Sequence, residues 1–261
     1  MKKKNLLKNV RLFTNGIAMV IVLATATNAS SQTPAKNIVL VHGAFADGSG
    51  WQPVHNILTK KGYNVSVVAN PNTGLAEDVA AVKLVLARQH GPVILVGHSY
   101  GGAIITEAGN DVKVAGLVYV SAFVPDAGES LLSLLQAGPP NPNSGILPPE
   151  NGYVWFDKAK FHAGFCADLS KEQAAFMADS QVPVSASVFG STITVAAWKN
   201  KPSWYSLATD DLVIPAEGAR FMAKRAGAII TEIKSSHVSY VSHPKEIAGL
   251  IETAAKNVAV K

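Results

Sequence analysis

Short apolar runs alternate with amphipathic stretches along most of the chain, from Lys36 onward. The run from Asn37 to Val41 is almost wholly apolar, as in a parallel strand that helices cover on both faces. Similar runs predict further strands at 64–68, 93–96, 116–120, 203–207 and 228–233. Between them, apolar positions at helical spacing predict helices at 52–61, 77–89, 103–108, 215–226 and 244–256. This alternation predicts an α/β fold with a mostly parallel sheet and helices on both faces.

The alternation of strands and helices stops after Pro125 and resumes near Ser203. The intervening residues, 126–200, are rich in proline and contain amphipathic stretches such as 171–177. A compact domain rarely carries a structureless loop of this length, so we expect an inserted helical element. The α/β core is therefore predicted to comprise 36–125 and 201–261, and the insertion, 126–200, is predicted to form a cap or lid over the functional site.

The N-terminal residues differ in character from the rest of the chain. Five basic residues within the first 11 precede a short apolar run, Ile17 to Leu23, and the small residues Ala24 to Ala26 follow it. This order predicts a secretory signal peptide over residues 1–29, cleaved near residues 26–30, with an uncleaved anchor as the alternative. We therefore expect an exported protein, periplasmic or secreted, with no stable membrane association after cleavage.

The charge of the chain comes mostly from this leader. The chain has 261 residues with 23 Lys and Arg, 18 Asp and Glu, and a formal net charge of +5. Without the five early basic residues, 18 basic residues balance the acidic ones, so the charge gives no reason to expect nucleic-acid binding. The single cysteine, Cys166, excludes an intrachain disulfide, and we expect a buried apolar residue there rather than a nucleophile.

A Gly-x-Ser-x-Gly sequence centred on Ser99 lies between the predicted strand 93–96 and the predicted helix 103–108. Small residues beside Ser99 permit a turn too tight for larger side chains, and such a turn lifts the serine hydroxyl above the sheet. The pattern therefore predicts that Ser99 is a nucleophile for attack on a substrate carbonyl. His98, inside the motif, is expected to face away from the nucleophile and to serve packing.

A serine nucleophile needs a general base, and the base needs a carboxylate that orients it. In this architecture the acid and then the histidine follow the serine along the chain, at the carboxyl ends of later strands. His237 is the first histidine beyond the last predicted strand and is the predicted base, with His243 as its rival. Asp210 and Asp211 are both candidates for the acid, but adjacent residues point in opposite directions, so only one can face His237. We favour Asp211.

Acyl transfer also requires hydrogen-bond donors for the oxyanion that forms on the substrate. The backbone N–H after the nucleophile, that of Tyr100, is one expected donor. The second is expected after the first strand, where Gly43 lets the backbone turn so that the N–H of Ala44 points at the site. Phe45 and Phe123 each follow a strand end and are expected to line the substrate pocket. The predicted cap supplies further aromatic surface from Trp155, Phe156, Phe161, Phe165, Phe176, Phe189 and Trp198.

Taken together, these motifs resemble the α/β-hydrolase superfamily. The matching segments are 39–45, 97–102, Asp211 with Pro215 four residues later, and Ser236 with His237. Within the superfamily the chain resembles small esterases related to plant methyl esterases and hydroxynitrile lyases, because it lacks the extra leading strands of larger members. The resemblance implies a cofactor-free enzyme with a Ser–His–Asp triad. It also implies that the acid is the aspartate four residues before the proline, Asp211.

The leading hypothesis is a serine hydrolase that cleaves a small, apolar carboxylic ester, or a lactone, through an acyl-enzyme. The alternatives are a lyase of the hydroxynitrile type, with His237 as base, and a non-enzymatic ligand receptor on the same fold. Lyases of this kind carry a lysine near the base, and Lys234 is not obviously in that place. No His-Glu-x-x-His or comparable ligand cluster occurs, so no metal is expected. The expected partner is a small-molecule ester, and a homodimer is left open.

Overall fold

The structure is a computed structural model that describes residues 34–138 and 144–258. The predicted signal peptide, residues 1–29, and its cleavage region therefore lie outside the described residues, as do Pro139, Pro140 and Pro142. Among the helices of the described ranges, none is long and apolar enough to cross a bilayer.

As far as residue 120, strands and helices alternate. They are β1 (Asn37–Val41), α1 (Gln52–Lys60), β2 (Asn64–Val68), α2 (Leu75–Ala87), β3 (Val93–His98), α3 (Gly101–Ala108) and β4 (Val114–Val120). A short 3-10 helix, Gly48–Trp51, precedes α1. Strand β3 continues to His98, two residues beyond the predicted end, because the paired ladder with β4 extends that far.

The segment between β4 and the next strand of the main sheet contains helices and a two-stranded antiparallel pair. These are α4 (Leu131–Ala137), β5 (Tyr153–Val154), α5 (Lys158–Phe165), α6 (Lys171–Asp179), β6 (Val184–Ser185) and α7 (Ser187–Gly190). The amphipathic stretch 171–177 forms part of α6. A reciprocal capping box between Ser170 and Gln173 begins that helix by satisfying backbone N–H groups of its first turn.

The alternation then resumes to the end of the described chain. The elements are β7 (Ser203–Ala208), α8 (Ala216–Arg225), β8 (Ile229–Ile233), α9 (Ser239–Ser242) and α10 (Pro244–Asn257). The bounds of β7, α8, β8 and α10 lie within one residue of the predicted ones. Helix α9 was not predicted, since a single turn is too short to show a hydrophobic period. Its backbone bonds run from Val241 to Val238 and from His243 to Ser239, each at 2.8 Å.

The main sheet has the strand order β2-β1-β3-β4-β7-β8, and every pairing in it is parallel. Strand β3 lies between β1 and β4, with Val41 opposite Gly97 and His98 opposite Val120. Every residue of β1 and β3 is buried, as continuous apolar runs predict for strands covered on both faces. The predicted α/β fold with a parallel sheet is therefore confirmed. Parallel pairing also brings the carboxyl ends of β1, β3, β4 and β7 to one edge, where sites form in such sheets.

The helices pack on this sheet through apolar stripes. In α10, Ile247, Ile251 and Ala254 follow the helical period and are buried, and the helix packs against α1 and β4. Proline at the first position of α10 suits the helix start, because its missing N–H would have no intrahelical partner there.

Helix α3 packs closely against the loop after β4. A Cβ at Gly102 would lie inside van der Waals distance of the Phe123 carbonyl oxygen and 2.8 Å from the Ala122 Cβ. Gly102→Ala should therefore lower the free energy of unfolding by about 1–3 kcal/mol, the usual cost of overpacking a close-packed interior. Urea unfolding of the purified protein measures the change.

Gly249 in α10 supplies the matched control, because a Cβ there would meet no atom within 4 Å. Gly249→Ala should raise the stability by up to about 1 kcal/mol through helix propensity alone. A Gly102→Ala protein with an unfolding midpoint equal to that of wild type would contradict the packing analysis.

Candidate active site

Ser99 occupies a strained turn between β3 and α3. Its φ angle is +54°, in the left-handed region that costs a non-glycine residue about 1–3 kcal/mol. Three hydrogen bonds hold this backbone. The Ser99 N–H donates to the Val120 carbonyl at 3.2 Å, and the Ser99 carbonyl accepts from Gly102 at 2.9 Å and Phe123 at 3.1 Å. The serine is thus fixed from both neighbouring elements, at the carboxyl end of the central strand.

Glycines around Ser99 let the backbones approach this closely. A Cβ at Gly97 would collide with the backbone carbonyl of Gly101. A Cβ at Gly43, in the loop after β1, would lie 2.7 Å from the Ser99 Cβ. The loop after β1 is therefore in direct contact with the Ser99 turn, and no larger residue fits at either position.

His237 and Asp211 form a buried hydrogen-bonded pair. The distance from His237 Nδ1 to Asp211 Oδ2 is 2.7 Å, and both side chains are almost fully buried. The other oxygen, Oδ1, accepts from the N–H groups of Val213 at 2.8 Å and Ile214 at 3.0 Å. Because Nδ1 faces a carboxylate, it carries the proton, which leaves the lone pair on Nε2. Nε2 has no hydrogen-bond partner among the described residues.

Asp210, the rival acid, does not face this histidine. Its carboxylate accepts from the neighbouring Thr209 hydroxyl at 3.2 Å and lies at an exposed position. Its backbone N–H donates to the Ser235 carbonyl at 3.1 Å. The aspartate that meets His237 is therefore Asp211, while His243, the rival base, hydrogen-bonds through Nδ1 to Ser242 at 2.8 Å.

His98 packs against the loop that carries His237, residues 234–238, which we call the histidine loop. Its Nε2 is 3.0 Å from the backbone carbonyl of His237, and its ring centroid is 4.7 Å from that of His237. Burial, reinforced by the neighbouring His237, holds the pKa of His98 well below its usual range, so its ring is neutral. A carbonyl can only accept, so Nε2 carries the proton and donates. His98 thus packs, as expected, and also anchors the backbone of the loop.

The two expected oxyanion donors belong to buried residues beside Ser99. Ala44 is in the loop that contacts Ser99 through Gly43, and Tyr100 follows Ser99 directly. Neither the Ala44 N–H nor the Tyr100 N–H has an acceptor within the part of the chain that the structure describes. Free backbone donors at a buried position are what an oxyanion-binding site requires.

The inserted segment contacts the histidine loop through two residues that the sequence did not single out as partners of His237. The Phe165 ring meets the His237 ring edge to face, with centroids 4.9 Å apart. Asp168 accepts from the Ser236 N–H at 3.0 Å and from the Ser236 hydroxyl. Burial raises the pKa of the Asp168 carboxyl, but hydrogen bonds from Ser236 and Ser242 outweigh burial and hold it below the usual range. Asp168 belongs to no motif, so no sequence signal could have found it.

Aromatic residues of the inserted segment and of the loop after β1 pack together beside His237. Phe156, Phe161 and Phe165 are buried and pack with centroid separations of 4.8–5.5 Å, and Phe45 meets Phe156 at 5.9 Å. Phe123 is buried as well, with its N–H bound to the Ser99 carbonyl. The remaining expected aromatics lie farther out, Trp155 and Phe176 exposed, and Phe189 and Trp198 half-buried.

A cavity of about 490 Å³ adjoins this aromatic cluster. Its walls come from the loop after β1, including Phe45, from α6, including Phe176 and Met177, and from Tyr240 in α9. Ser99 and His237 are not among the lining residues. Tyr240 lines the cavity and also packs against His98, with ring centroids 4.4 Å apart. It therefore links the cavity to the residues around Ser99 and His237.

Metal and thiol chemistry have no visible site in the described ranges. No group of three or more His, Cys, Asp or Glu side chains there is arranged to hold a metal ion. Cys166 is fully buried, and burial raises the pKa of its thiol to about 12. A thiol that stays protonated is a poor nucleophile.

The chain matches one protein family over most of its length. Residues 38–250 match the alpha/beta hydrolase family. A carbendazim-hydrolyzing esterase of Nocardioides sp. is 31% identical over 179 residues, covering 63% of this chain and 66%, just under two thirds, of that protein. A pyrethroid hydrolase of Sphingobium wenxiniae is 27% identical over 250 residues, covering 82% of this chain and 86% of that protein.

Solved structures agree with this assignment. The crystal structure of a pyrethroid hydrolase from Sphingobium faniae has a TM-score of 0.74 at 26% identity, over 85% of this chain and 98% of that one. Polyneuridine aldehyde esterase shares the fold, with a TM-score of 0.71 at 20% identity, over 83% of this chain and 97% of that one. The predicted resemblance to α/β hydrolases and small plant esterases is confirmed. With a family match over most of its length, the chain belongs to the alpha/beta hydrolase family.

Proposed function

We propose that this enzyme cleaves a small, apolar carboxylic ester through an acyl-enzyme on Ser99, with His237 as general base and Asp211 as its orienting acid. The observation that carries the proposal is the 2.7 Å bond between His237 Nδ1 and Asp211 Oδ2. It leaves His237 Nε2 buried and without a partner among the described residues, and His98, which directly precedes Ser99, holds the backbone carbonyl of His237. A base held in this tautomer suits the activation of a serine hydroxyl.

The acylation half-reaction begins when His237 Nε2 takes the proton from Ser99 Oγ. The oxygen forms a bond to the ester carbonyl carbon, and the carbonyl electrons move onto oxygen. The N–H groups of Ala44 and Tyr100 donate to this oxyanion, while Asp211 stabilises the imidazolium. The oxyanion then collapses, the carbon–oxygen bond to the alcohol breaks, and His237 returns the proton to the leaving alcohol.

Deacylation repeats these steps with water as the nucleophile. His237 takes a proton from water, the hydroxide adds to the acyl carbon, and the same N–H donors hold the second oxyanion. Collapse releases the carboxylic acid and returns the proton to Ser99 Oγ. A lactone would open by the same steps, with its alcohol remaining attached to the acyl group.

Apolar surface around the site supports a substrate of modest size with an apolar or aromatic portion. Phe45 and Phe123 are proposed as pocket walls, with Phe156 and Phe165 beside them. The adjoining cavity of about 490 Å³ is within the range of small-ligand sites. The relatives named for carbendazim and pyrethroid hydrolysis fit the same expectation.

Neither alternative is favoured by an observation. A lyase of the expected type would hold a lysine near the base, but Lys234 is exposed whereas His237 is fully buried. A ligand receptor would have no need of a buried, unpartnered Nε2. Turnover of an aryl acetate distinguishes the hydrolase from the receptor, and release of cyanide and aldehyde without an acyl-enzyme would indicate the lyase.

We also propose that the inserted segment, 126–200, covers the site and helps to align the base. Its Phe165 packs on the His237 ring, and its Asp168 holds the Ser236 N–H, one residue before His237. A charged hydrogen bond to the backbone of the loop restricts the positions open to His237.

Removal of the nucleophile should abolish the reaction. Ser99→Ala should lower kcat by about 10⁶-fold, the scale of triad removal in a serine protease. Labelling by an organophosphate probe should disappear at the same time, as intact-protein mass spectrometry would show. Labelling that persists in Ser99→Ala would disprove the assignment.

The two adjacent aspartates should differ sharply. Asp211→Asn should lower kcat by about 10⁴-fold, because an amide permits the wrong tautomer of His237. Asp210→Asn is the matched control, since within the described residues its exposed carboxylate hydrogen-bonds only to Thr209, and its kcat should stay near wild type. Steady-state kinetics on an aryl acetate decides the matter, and a reversed ranking of the two variants would reassign the acid.

Loss of the Asp168 contact should affect kcat more than substrate binding. Asp168→Asn leaves a single oxygen for the Ser236 N–H and hydroxyl, so we expect about a tenfold lower kcat, equivalent to about 1.4 kcal/mol. Asp179→Asn, in the same segment, removes only the exposed pair with Lys158 and should leave kcat unchanged. Equal kcat values for the two variants would exclude a role for Asp168 in alignment.

A further inference from the structure

A buried carboxyl group without a cationic partner lies close to the Ser99 turn. Asp78, in α2, is fully buried, and no lysine, arginine or histidine pairs with it in the described part of the chain. Its Oδ2 accepts from the Tyr100 hydroxyl at 2.6 Å, and its Oδ1 accepts from the Asn72 N–H at 2.7 Å. Burial raises the pKa of Asp78, and these two hydrogen bonds oppose the rise. A carboxyl buried without a counter-ion is costly, so its two partners require an explanation.

The first partner, Tyr100, supplies one of the expected oxyanion donors from its own backbone. The preceding Ser99 carbonyl is engaged by the N–H groups of Gly102 and Phe123. In a planar trans peptide the C=O and the following N–H point in opposite directions. Fixing the Ser99 carbonyl therefore aims the Tyr100 N–H away from α3. Asp78 fixes the other end of the same residue, through the Tyr100 hydroxyl.

The second partner, Asn72, connects Asp78 to the other expected donor. Asn72 is fully buried in a left-handed conformation, with a φ angle of +57°. Its Nδ2 approaches the Gly43 carbonyl at 3.5 Å, and its Oδ1 accepts from Asn70 Nδ2 at 2.9 Å. The Gly43 carbonyl also lies 2.9 Å from His42 Nδ1.

The Gly43 carbonyl and the Ala44 N–H belong to one peptide unit. By the same planarity, holding the carbonyl on the side of Asn72 directs the Ala44 N–H to the opposite side. Both N–H groups remain free of acceptors in the described residues, whereas the carbonyls of both peptide units are held. Asp78 hydrogen-bonds to the side chain of Tyr100, whose N–H belongs to one of these peptide units, and to Asn72, whose amide reaches the carbonyl of the other.

We infer that Asp78 is a positioning residue that sets the direction of both oxyanion donors, through Tyr100 on one side and through Asn72 and Gly43 on the other. The inference rests on the proposed function, because it assigns Asp78 a part in stabilising the oxyanion of that reaction. Asp78 does not touch the substrate. It acts before the reaction by keeping the donors oriented, so that no rearrangement is needed as charge develops.

The test compares two buried tyrosines that differ in their connection to the site. Tyr100→Phe removes the hydroxyl on Asp78 but keeps the backbone N–H. Tyr119→Phe is the matched control, because Tyr119 is fully buried and its hydroxyl, among the residues that the structure describes, bonds only Thr106, at 3.0 Å. Each variant loses one buried hydrogen bond, and Tyr100→Phe should lose more thermal stability because the bond that it removes is to a carboxyl group.

Kinetics on an aryl acetate should separate the two variants. We expect Tyr100→Phe to lower kcat by about 10–100-fold with KM changed less than about threefold, because the loss falls on the transition state. The serine adds to a trifluoromethyl ketone to give a hemiketal oxyanion. Such a ketone should bind to Tyr100→Phe more weakly by a similar factor. Tyr119→Phe should match wild type in kcat and in affinity for the ketone. A Tyr100→Phe enzyme that matches Tyr119→Phe in both would overturn the inference.

A second arm tests whether Asp78 and Tyr100 act as one unit. Asp78→Asn should give a loss like that of Tyr100→Phe, and the double variant should lose no more than either single variant. Additive losses would contradict the shared pathway, and if Asp78→Asn does not fold, the Tyr100 comparison decides alone. Wild-type protein that neither hydrolyses the acetate nor is labelled at Ser99 would instead overturn the proposed function. The two failures are therefore distinguishable.

Discussion

The left-handed backbone of Ser99 is the constraint on which the site depends. A φ angle of +54° is unfavourable for serine, so the surrounding structure must hold it there. It does so with hydrogen bonds from both sides of the turn and with glycines that let neighbouring backbones come close. The same close approach brings the loop after β1 against the turn, because a Cβ at Gly43 would meet Ser99. Ser99 and the loop after β1 are therefore positioned by one packing arrangement.

Hydrogen bonds between neutral or singly charged groups, rather than ion pairs, organise the rest of the site. Asp211 meets a histidine, Asp78 meets a tyrosine hydroxyl and a backbone N–H, and Asp168 meets a serine. No lysine or arginine pairs with these carboxylates among the described residues. Hydrogen-bond donors that are fixed in advance stabilise the negative charge as it develops on the substrate oxygen, with no rearrangement during the reaction.

The sequence predicted the parts of this arrangement that depend on local pattern. Continuous apolar runs predicted buried strands such as β1 and β3, and the position of Ser99 between strand and helix predicted the turn. Chain order and strand-end geometry selected His237 and Asp211, which form a hydrogen-bonded pair in the structure. Their catalytic roles, and that of Ser99, stay predictions.

Other features could not be predicted, because they depend on side chains that meet only after folding. Asp168 bonds Ser236 across 68 positions of the chain, and Asp78 bonds Tyr100 across 22. Neither aspartate has a motif around it, and the sequence alone does not distinguish either one from an ordinary polar residue of a helix or loop. Periodicity reports which face of an element is buried. It does not report which buried polar group finds which partner.

The inserted segment contacts both the His237 ring and the backbone beside it. Phe165 covers the His237 ring, and Asp168, three residues later, holds the backbone next to His237. Any displacement of this short stretch would expose the imidazole and release its loop together. Water exclusion strengthens the Asp211–His237 bond, since a low local dielectric strengthens hydrogen bonds between charged groups. Under the proposed mechanism, the aromatic surface that selects an apolar substrate belongs to the same stretch of chain that orients the base, so substrate preference and catalytic alignment would depend on that one stretch.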